Sequence, residues 1–232
     1  MNDNVEMTFA DILASTIHDT KNSLGLLYNT IEEIIIHCQG EECQDHRDFF
    51  PLQYELKRLN SGLIRLLTLY KSQKGQLCIN IDYHSVSDFL EDTIIQNAPL
   101  LESKGIEINL DCPENLCWVF DSGLVTGVID NVLNNAYRYS KDKISVTAAQ
   151  EGGYLAILIE DDGRGYPENM LINDDPTAGC GRGVNFDTGS TGLGLYFATL
   201  VAGYHIHNGQ KGFIKMTNGG RYGGGVFSLY LP

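Results

Sequence analysis

The sequence predicts an α+β chain in two parts, an antiparallel helical hairpin followed by an α/β sandwich with helices on one face of a sheet. Three observations carry that prediction. The first seventy residues keep a sustained 4-3 spacing of apolar positions, the remainder alternates strand-like and helix-like runs, and a short polar stretch at residues 71–75 (KSQKG) divides the two. The implied domains are residues 1–72 and 76–232.

In the first part, Leu13, Ile17, Thr20, Leu24, Leu27, Ile31 and Ile34 form one seam and Leu52, Leu56, Leu59, Leu63, Leu66 and Tyr70 another. A 4-3 seam marks bundle or coiled-coil packing rather than a helix lying on a sheet. The polar stretch between the seams (CQGEECQDHRD) offers Gly40 to end the first helix. Two helices bury such seams poorly alone, whereas two copies of the hairpin make a four-helix bundle, so a homodimer is expected. In the second part, strands are expected at residues 76–81, 106–110, 143–148, 154–160, 212–217 and 226–231. Helices are expected at 85–103, from an Asp121 or Ser122 cap to about 139, and to about 201. A mixed pattern of this kind gives helices packed on a sheet. Residues 163–191, Gly-rich and poorly periodic, have the character of a functional lid or a disordered segment.

Composition excludes several classes. The chain of 232 residues has 16 Lys plus Arg against 30 Asp plus Glu, a formal net charge of −14. Without a basic stripe, so acidic a chain repels phosphate backbones, and no nucleic-acid partner is expected. No apolar run approaches the ~20 residues that span a bilayer, and the acidic start MNDNVEMTFADIL lacks signal-peptide character. The expectation is a cytoplasmic protein, not inserted in a membrane, with six reduced cysteines.

Chemistry concentrates in four segments. His18-Asp19-Thr20-Lys21-Asn22 sits on the first helix, with His18 just beside the seam. Asp19 can take a hydrogen bond from one ring nitrogen and leave the other as nucleophile. Asn22, one turn on, can position a water. In the run from Asp130 to Ser140 (DNVLNNAYRYS), Asn131 and Asn135 lie four apart and share a helix face, where amide oxygens can hold Mg²⁺ beside phosphates. Glu160-Asp161-Asp162-Gly163-Arg164-Gly165 follows a strand, placing a carboxylate that can accept from an adenine amino group beside glycines that permit close approach. Gly189-Ser190-Thr191-Gly192-Leu193-Gly194-Leu195 opens a helix, and its N–H groups suit a triphosphate.

In this order, the four segments resemble those of bacterial sensor histidine kinases, in which a dimerisation and phosphotransfer hairpin precedes a Bergerat-type ATPase domain. The resemblance covers nearly the whole chain. It implies His18 as phosphoacceptor, Asp19 as general base and Asn22 as the position that assists dephosphorylation. It further implies Asn131 and Asn135 in the asparagine box, with Asn135 the Mg²⁺ ligand, Arg138 near the phosphates and Tyr139 packed on adenine. Asp161 would bind the adenine amino group, with Gly163 and Gly165 forming the first glycine box. Thr191, Gly192, Leu193 and Gly194 would form the second, with Ser190 standing where the family often has a glycine. The closing GGGVFSLYLP resembles the family's last strand. The implied activity is self-phosphorylation by ATP and transfer to the receiver domain of a response regulator, under a separate sensor or within a longer chain. The alternatives are a phosphotransferase or pseudokinase that does not use ATP, and a non-enzymatic Bergerat-fold regulator. One cluster falls outside this scheme. His37, Cys38, Cys43 and His46 put two imidazoles and two thiols within ten residues, suggesting either a plain polar loop or a metal or redox switch.

Overall fold

The computed structural model describes residues 17, 20–22, 24–25, 27–31, 49–172 and 193–232. They fall in two compact units, Met1–Cys78 and Ile79–Pro232.

In the first unit the described residues between 17 and 31 are helical, and helix α1 spans Phe49–Gln73. Leu56 and Ile31 are buried together, with Leu24 and Tyr28 packed against them. The predicted seams are divided in this chain. Ile17, Ile31 and Leu56 are buried, whereas Thr20 and Leu27 on one helix, and Leu52, Leu59 and Leu66 on the other, are exposed. The exposed leucines of α1 recur every seven residues, so a second apolar stripe runs along that helix.

The second unit runs β1 (Asp82–Ser85), α2 (Val86–Ser103), β2 (Glu107–Asp111), β3 (Cys117–Phe120), α3 (Ser122–Tyr139), β4 (Lys143–Glu151), β5 (Tyr154–Asp161), a 3₁₀ turn (Glu168–Met170), α4 (Leu193–Tyr204), β6 (Ile206–His207), β7 (Gln210–Lys211), β8 (Phe213–Asn218) and β9 (Gly225–Leu231). Five strands form the main sheet in the order β2-β4-β5-β9-β8. Among the described residues of this sheet, only the β2–β4 pair is parallel. Strands β4 and β5 are joined at Gly152-Gly153, both with positive φ, the two-residue turn that matches the natural strand twist. Period-2 alternation sends Leu155, Ile157 and Ile159 of β5 and Phe227, Leu229 and Leu231 of β9 to one face, where they join the core. Leu90, Ile129, Leu133 and Phe197 of the helices fill it from the other side.

The expected strand at residues 76–81 does not form; β1 begins at Asp82. Its partner is β3, which the sequence reading omitted, in a register running from Asp82↔Phe120 to Ser85↔Cys117. At its Asp82↔Phe120 end the ladder stops because the next residue, Asp121, is engaged elsewhere. Its Oδ1 accepts the Leu124 N–H at 2.9 Å and caps α3, while its Oδ2 accepts the Asn80 N–H at 2.8 Å. A carboxylate thus takes the backbone donor that a longer strand would have paired. The last helix also runs past 201 to Tyr204, and a small β6–β7 hairpin follows it.

His205 ties these elements together. Buried among them, it accepts the Asp121 N–H at Nε2 (3.0 Å) and donates from Nδ1 to the Val201 carbonyl (2.8 Å). Burial lowers its pKa below the usual 6.5, against opposing effects of the Val201 carbonyl and the Asp121 charge. The neutral ring is therefore the folded form, and the unfolded chain binds the extra proton. Its contribution to stability is complete above pH 6.5 and is lost as pH falls through the lower folded-state value. Urea unfolding midpoints of the wild type should fall between pH 7 and about pH 5, and His205→Gln should flatten that part of the profile.

Candidate nucleotide site

Strand β5 ends at Asp161, and the chain must turn there. Asp161 Oδ1 accepts the Gly163 N–H at 2.7 Å and the Gly225 N–H at 3.2 Å, so one oxygen closes the turn and also fastens the start of β9. The Asp161 carbonyl accepts the Gly224 N–H at 3.1 Å. Among the described residues, Oδ2 of Asp161 accepts no hydrogen bond. A carboxylate with one oxygen anchored and one open can take a hydrogen bond from a ligand amino group.

The glycines here are required by packing. A Cβ on Gly163 would lie 2.6 Å from the Tyr139 carbonyl oxygen and 2.8 Å from Asp161 Oδ1. One on Gly224 would strike the Asp161 carbonyl oxygen, and one on Gly225 would lie 2.9 Å from both Asp161 Oδ2 and the Tyr166 ring. Gly165 has φ +75, and a Cβ there would lie 2.6 Å from Asn218 Oδ1. Asn218 holds this loop from β8, accepting the Tyr166 N–H at 2.6 Å and donating to its carbonyl at 2.8 Å. Burial pushes the Tyr166 hydroxyl well above the usual tyrosine range, with the Asp161 charge adding to it, so the ring stays neutral behind the carboxylate.

Helix α3 brings the asparagines and the aromatic residue to the same place. Its amphipathic pattern buries Val128, Ile129, Val132 and Leu133 and turns Asn131 and Asn135 the other way. Asn135 is exposed, and Asn131 packs so closely on α4 that a Cβ on Gly194 would meet its amide at 2.5–2.6 Å. Tyr139 ends the helix with its ring exposed. The Arg138 and Arg164 guanidiniums lie 5.5 Å and 5.0 Å from the ring centroid. Cations over an aromatic face are favourable, and among the described residues neither arginine makes an ion pair. In a chain of net charge −14, two uncommitted guanidiniums beside one ring give a local field that suits an anion.

Asn131, Arg138, Tyr139, Asp161, Gly163 and Gly165 are thereby linked through α3, the β5 turn and their shared contacts, with Gly194 against Asn131 and Asn135 one turn along the helix. Leu193 opens α4. Thr191, Gly192, His18, Asp19 and the His37/Cys38/Cys43/His46 cluster lie outside the described residues, while Asn22 is helical and exposed. The sequence reading missed the roles of Gly224, Gly225, Asn218 and Arg164. The Gly-Gly-Gly run before the last strand was the available signal, but it carried no indication that its N–H groups point at Asp161.

Residues 120–232 match the family described as histidine kinase-, DNA gyrase B-, and HSP90-like ATPase. Sensor protein SrrB of Staphylococcus aureus is 22% identical over 205 residues, covering 87% of this chain and 35% of that protein. The chain thus spans about a third of the length of the curated relatives it matches. The histidine kinase AdeS of Acinetobacter baumannii is similar in structure, with TM-score 0.58, 19% identity and coverage of 90% of this chain and 95% of that one. Full-length ShkA, solved in complex with AMPPNP, gives TM-score 0.62 and 18% identity over 97% of this chain and 46% of that one.

Replacing Gly224 by alanine should destabilise the domain by roughly 1–3 kcal/mol, because backbone atoms rather than a flexible side chain must yield to the new methyl group. Chemical denaturation of Gly224→Ala against wild type measures this, and equal midpoints would contradict the packing described.

Proposed function

From a chain that carries a histidine kinase-like ATPase domain at residues 120–232 and is homologous to sensor histidine kinases, we infer a protein histidine kinase. It binds ATP in the second unit, accepts the phosphoryl group on His18 and passes it to the receiver domain of a response regulator. The observation that carries this reading is the Asp161 carboxylate, with Oδ1 fixed by two backbone N–H groups and Oδ2 open, on a turn whose Gly163 is seated against the Tyr139 carbonyl.

The residues present fit an adenine nucleotide. An open carboxylate oxygen suits the adenine amino group, an exposed tyrosine ring suits the base, and uncommitted guanidiniums suit phosphate. When bound, ATP supplies the transferable phosphoryl group and Mg²⁺ neutralises charge on it. Asn135, with Asn131 beside it, would hold the metal. Thr191, Gly192, Leu193 and Gly194 would offer backbone N–H groups at the start of α4. His18 presents a ring nitrogen as acceptor, Asp19 orients the ring through the other nitrogen, and Asn22 holds a water for dephosphorylation of the regulator. The exposed stripe of Leu52, Leu59 and Leu66 supports a homodimer in which two hairpins complete a four-helix bundle. Among the described residues no helix is long and apolar enough to cross a membrane. We place the chain in the cytoplasm, receiving its input from a separate sensor or from further parts of a longer protein, with no nucleic-acid partner.

Incubation with labelled ATP and Mg²⁺ tests the reading. The wild type should acquire acid-labile, base-stable label, and His18→Ala should abolish it while nucleotide binding persists. Label retained by His18→Ala at the wild-type level would exclude that acceptor. Asp161→Asn replaces one carboxylate oxygen by an N–H donor and should cost about 1–3 kcal/mol of ATP affinity. Unchanged affinity by calorimetry would place the base elsewhere.

A further inference from the structure

Asp162, the second carboxylate of Asp161-Asp162-Gly163, makes contacts that the kinase reading leaves unused. Neighbouring side chains at a strand end leave the backbone on opposite sides. Asp161 faces Gly163 and Gly225, whereas Asp162 faces the segment just after α3. Asp162 Oδ1 accepts the Lys141 N–H at 2.8 Å and the Asp142 N–H at 3.3 Å, and Oδ2 accepts the Asp142 N–H at 3.1 Å. These two donors follow directly on Tyr139-Ser140. The same helix end is held from its other side by Lys104, whose ammonium donates to the carbonyls of Tyr137 and Ser140 and lies 5.3 Å from the Tyr137 ring. Gly163 completes the contact, seated against the Tyr139 carbonyl.

Resting on the nucleotide-binding reading, we propose that Asp162 is a positioning residue whose carboxylate clasps the backbone after α3 to the Asp161 loop, fixing the separation between Tyr139 and Asp161. A base that meets both the ring and the open Asp161 oxygen needs that separation set in advance. Without the clasp the two elements still meet through Gly163, the Arg164–Tyr139 contact and the β4–β5 ladder that begins at Ile144↔Asp161, but the turn between Tyr139 and that ladder loses its side-chain anchor, and the site must be ordered at the expense of binding. Burial opposes the Asp162 charge. Its pairing with the Asp142 carboxyl, which keeps the shared proton and is itself pushed up, and the backbone N–H groups of Lys141 and Asp142 outweigh it, so the Asp162 pKa lies below the usual carboxylate range. The clasp is therefore ionised at neutral pH, when charged acceptors bind backbone donors most strongly.

The test compares Asp162→Ala and Asp162→Asn in the full chain, with ATP and ADP as probes. Asp162→Ala should raise Kd for both nucleotides, and KM for ATP, by about tenfold, while the maximal rate of self-phosphorylation stays within about twofold. Asp162→Asn retains an acceptor oxygen and should restore affinity to within about threefold of wild type. Amide hydrogen exchange without nucleotide should show Lys141 and Asp142 exchanging faster in the alanine variant. Circular dichroism checks folding, and Asp162→Ser, whose hydroxyl cannot reach both donors, takes the place of the alanine variant if that chain does not fold. Wild-type affinity in Asp162→Ala, a loss of maximal rate with KM unchanged, unaltered exchange, or an asparagine variant as weak as alanine would each overturn the proposal. Failure of the wild type itself to bind ATP would instead overturn the kinase reading.

Discussion

The candidate site depends on one carboxylate oxygen. Asp161 Oδ1 gathers N–H groups from Gly163 and Gly225, positions 62 residues apart in the chain. A charged acceptor with two backbone donors is a strong tie, roughly twice as strong as its neutral counterpart. It brings the β5 turn and the start of β9 into close contact, which only glycine allows at 224 and 225, while Gly163 admits the Tyr139 carbonyl. The glycines are thus a consequence of the carboxylate. Once Oδ1 is committed, the geometry leaves Oδ2 as the free acceptor, and an otherwise ordinary turn gains an orientation.

Helix α3 supplies the opposite wall and is held at both ends by groups from elsewhere in the second unit. At its start, Asp121 caps the helix and receives the Asn80 N–H, and His205 accepts the Asp121 N–H. At its finish, Lys104 meets carbonyls that no intrahelical donor satisfies, and Asp162 takes the N–H groups just beyond. A cation at the C-terminus and a carboxylate at the N-terminus also agree with the helix dipole. Side chains along the helix, Asn131 and Asn135 among them, are therefore set by a strut fixed in register against the sheet.

Much of this was legible in the sequence. Strand β8 alternates, β5 and β9 read as largely apolar runs, α3 shows both its cap and its amphipathic face, and Asn131, Asn135, Tyr139 and Asp161 fall on the elements expected. What escaped has a common physical cause. The strand expected at 76–81 has the right side chains, but its backbone donor at Asn80 is taken by a carboxylate 41 residues away. Strand β3 is four residues long and pairs with β1, itself four residues, so neither carries much periodic signal. Gly224, Gly225 and Asn218 act through backbone groups or amides fixed by tertiary approach, and nothing local in the chain distinguishes them from ordinary turn residues. The hairpin seams show the converse. Their spacing is plain, but spacing alone does not tell which positions are buried within one chain, and Thr20, Leu27, Leu52, Leu59 and Leu66 are exposed in it.

The position of β9 in the sheet has a consequence for how the domain is acquired. It lies between β5 and β8, and every pairing it makes with β5 spans more than sixty residues of chain. Such non-local ladders form late, because loop-closure entropy opposes them until most of the structure is in place. The residue that begins β9, Gly225, donates to Asp161, so the anchored carboxylate comes into being only when this last strand docks. On the proposed nucleotide-binding reading, partly folded chains would carry every motif residue and still be blind to nucleotide. A ligand that recognises only the finished sheet draws the folding equilibrium towards it by mass action, and binding then doubles as a report that the whole domain has closed.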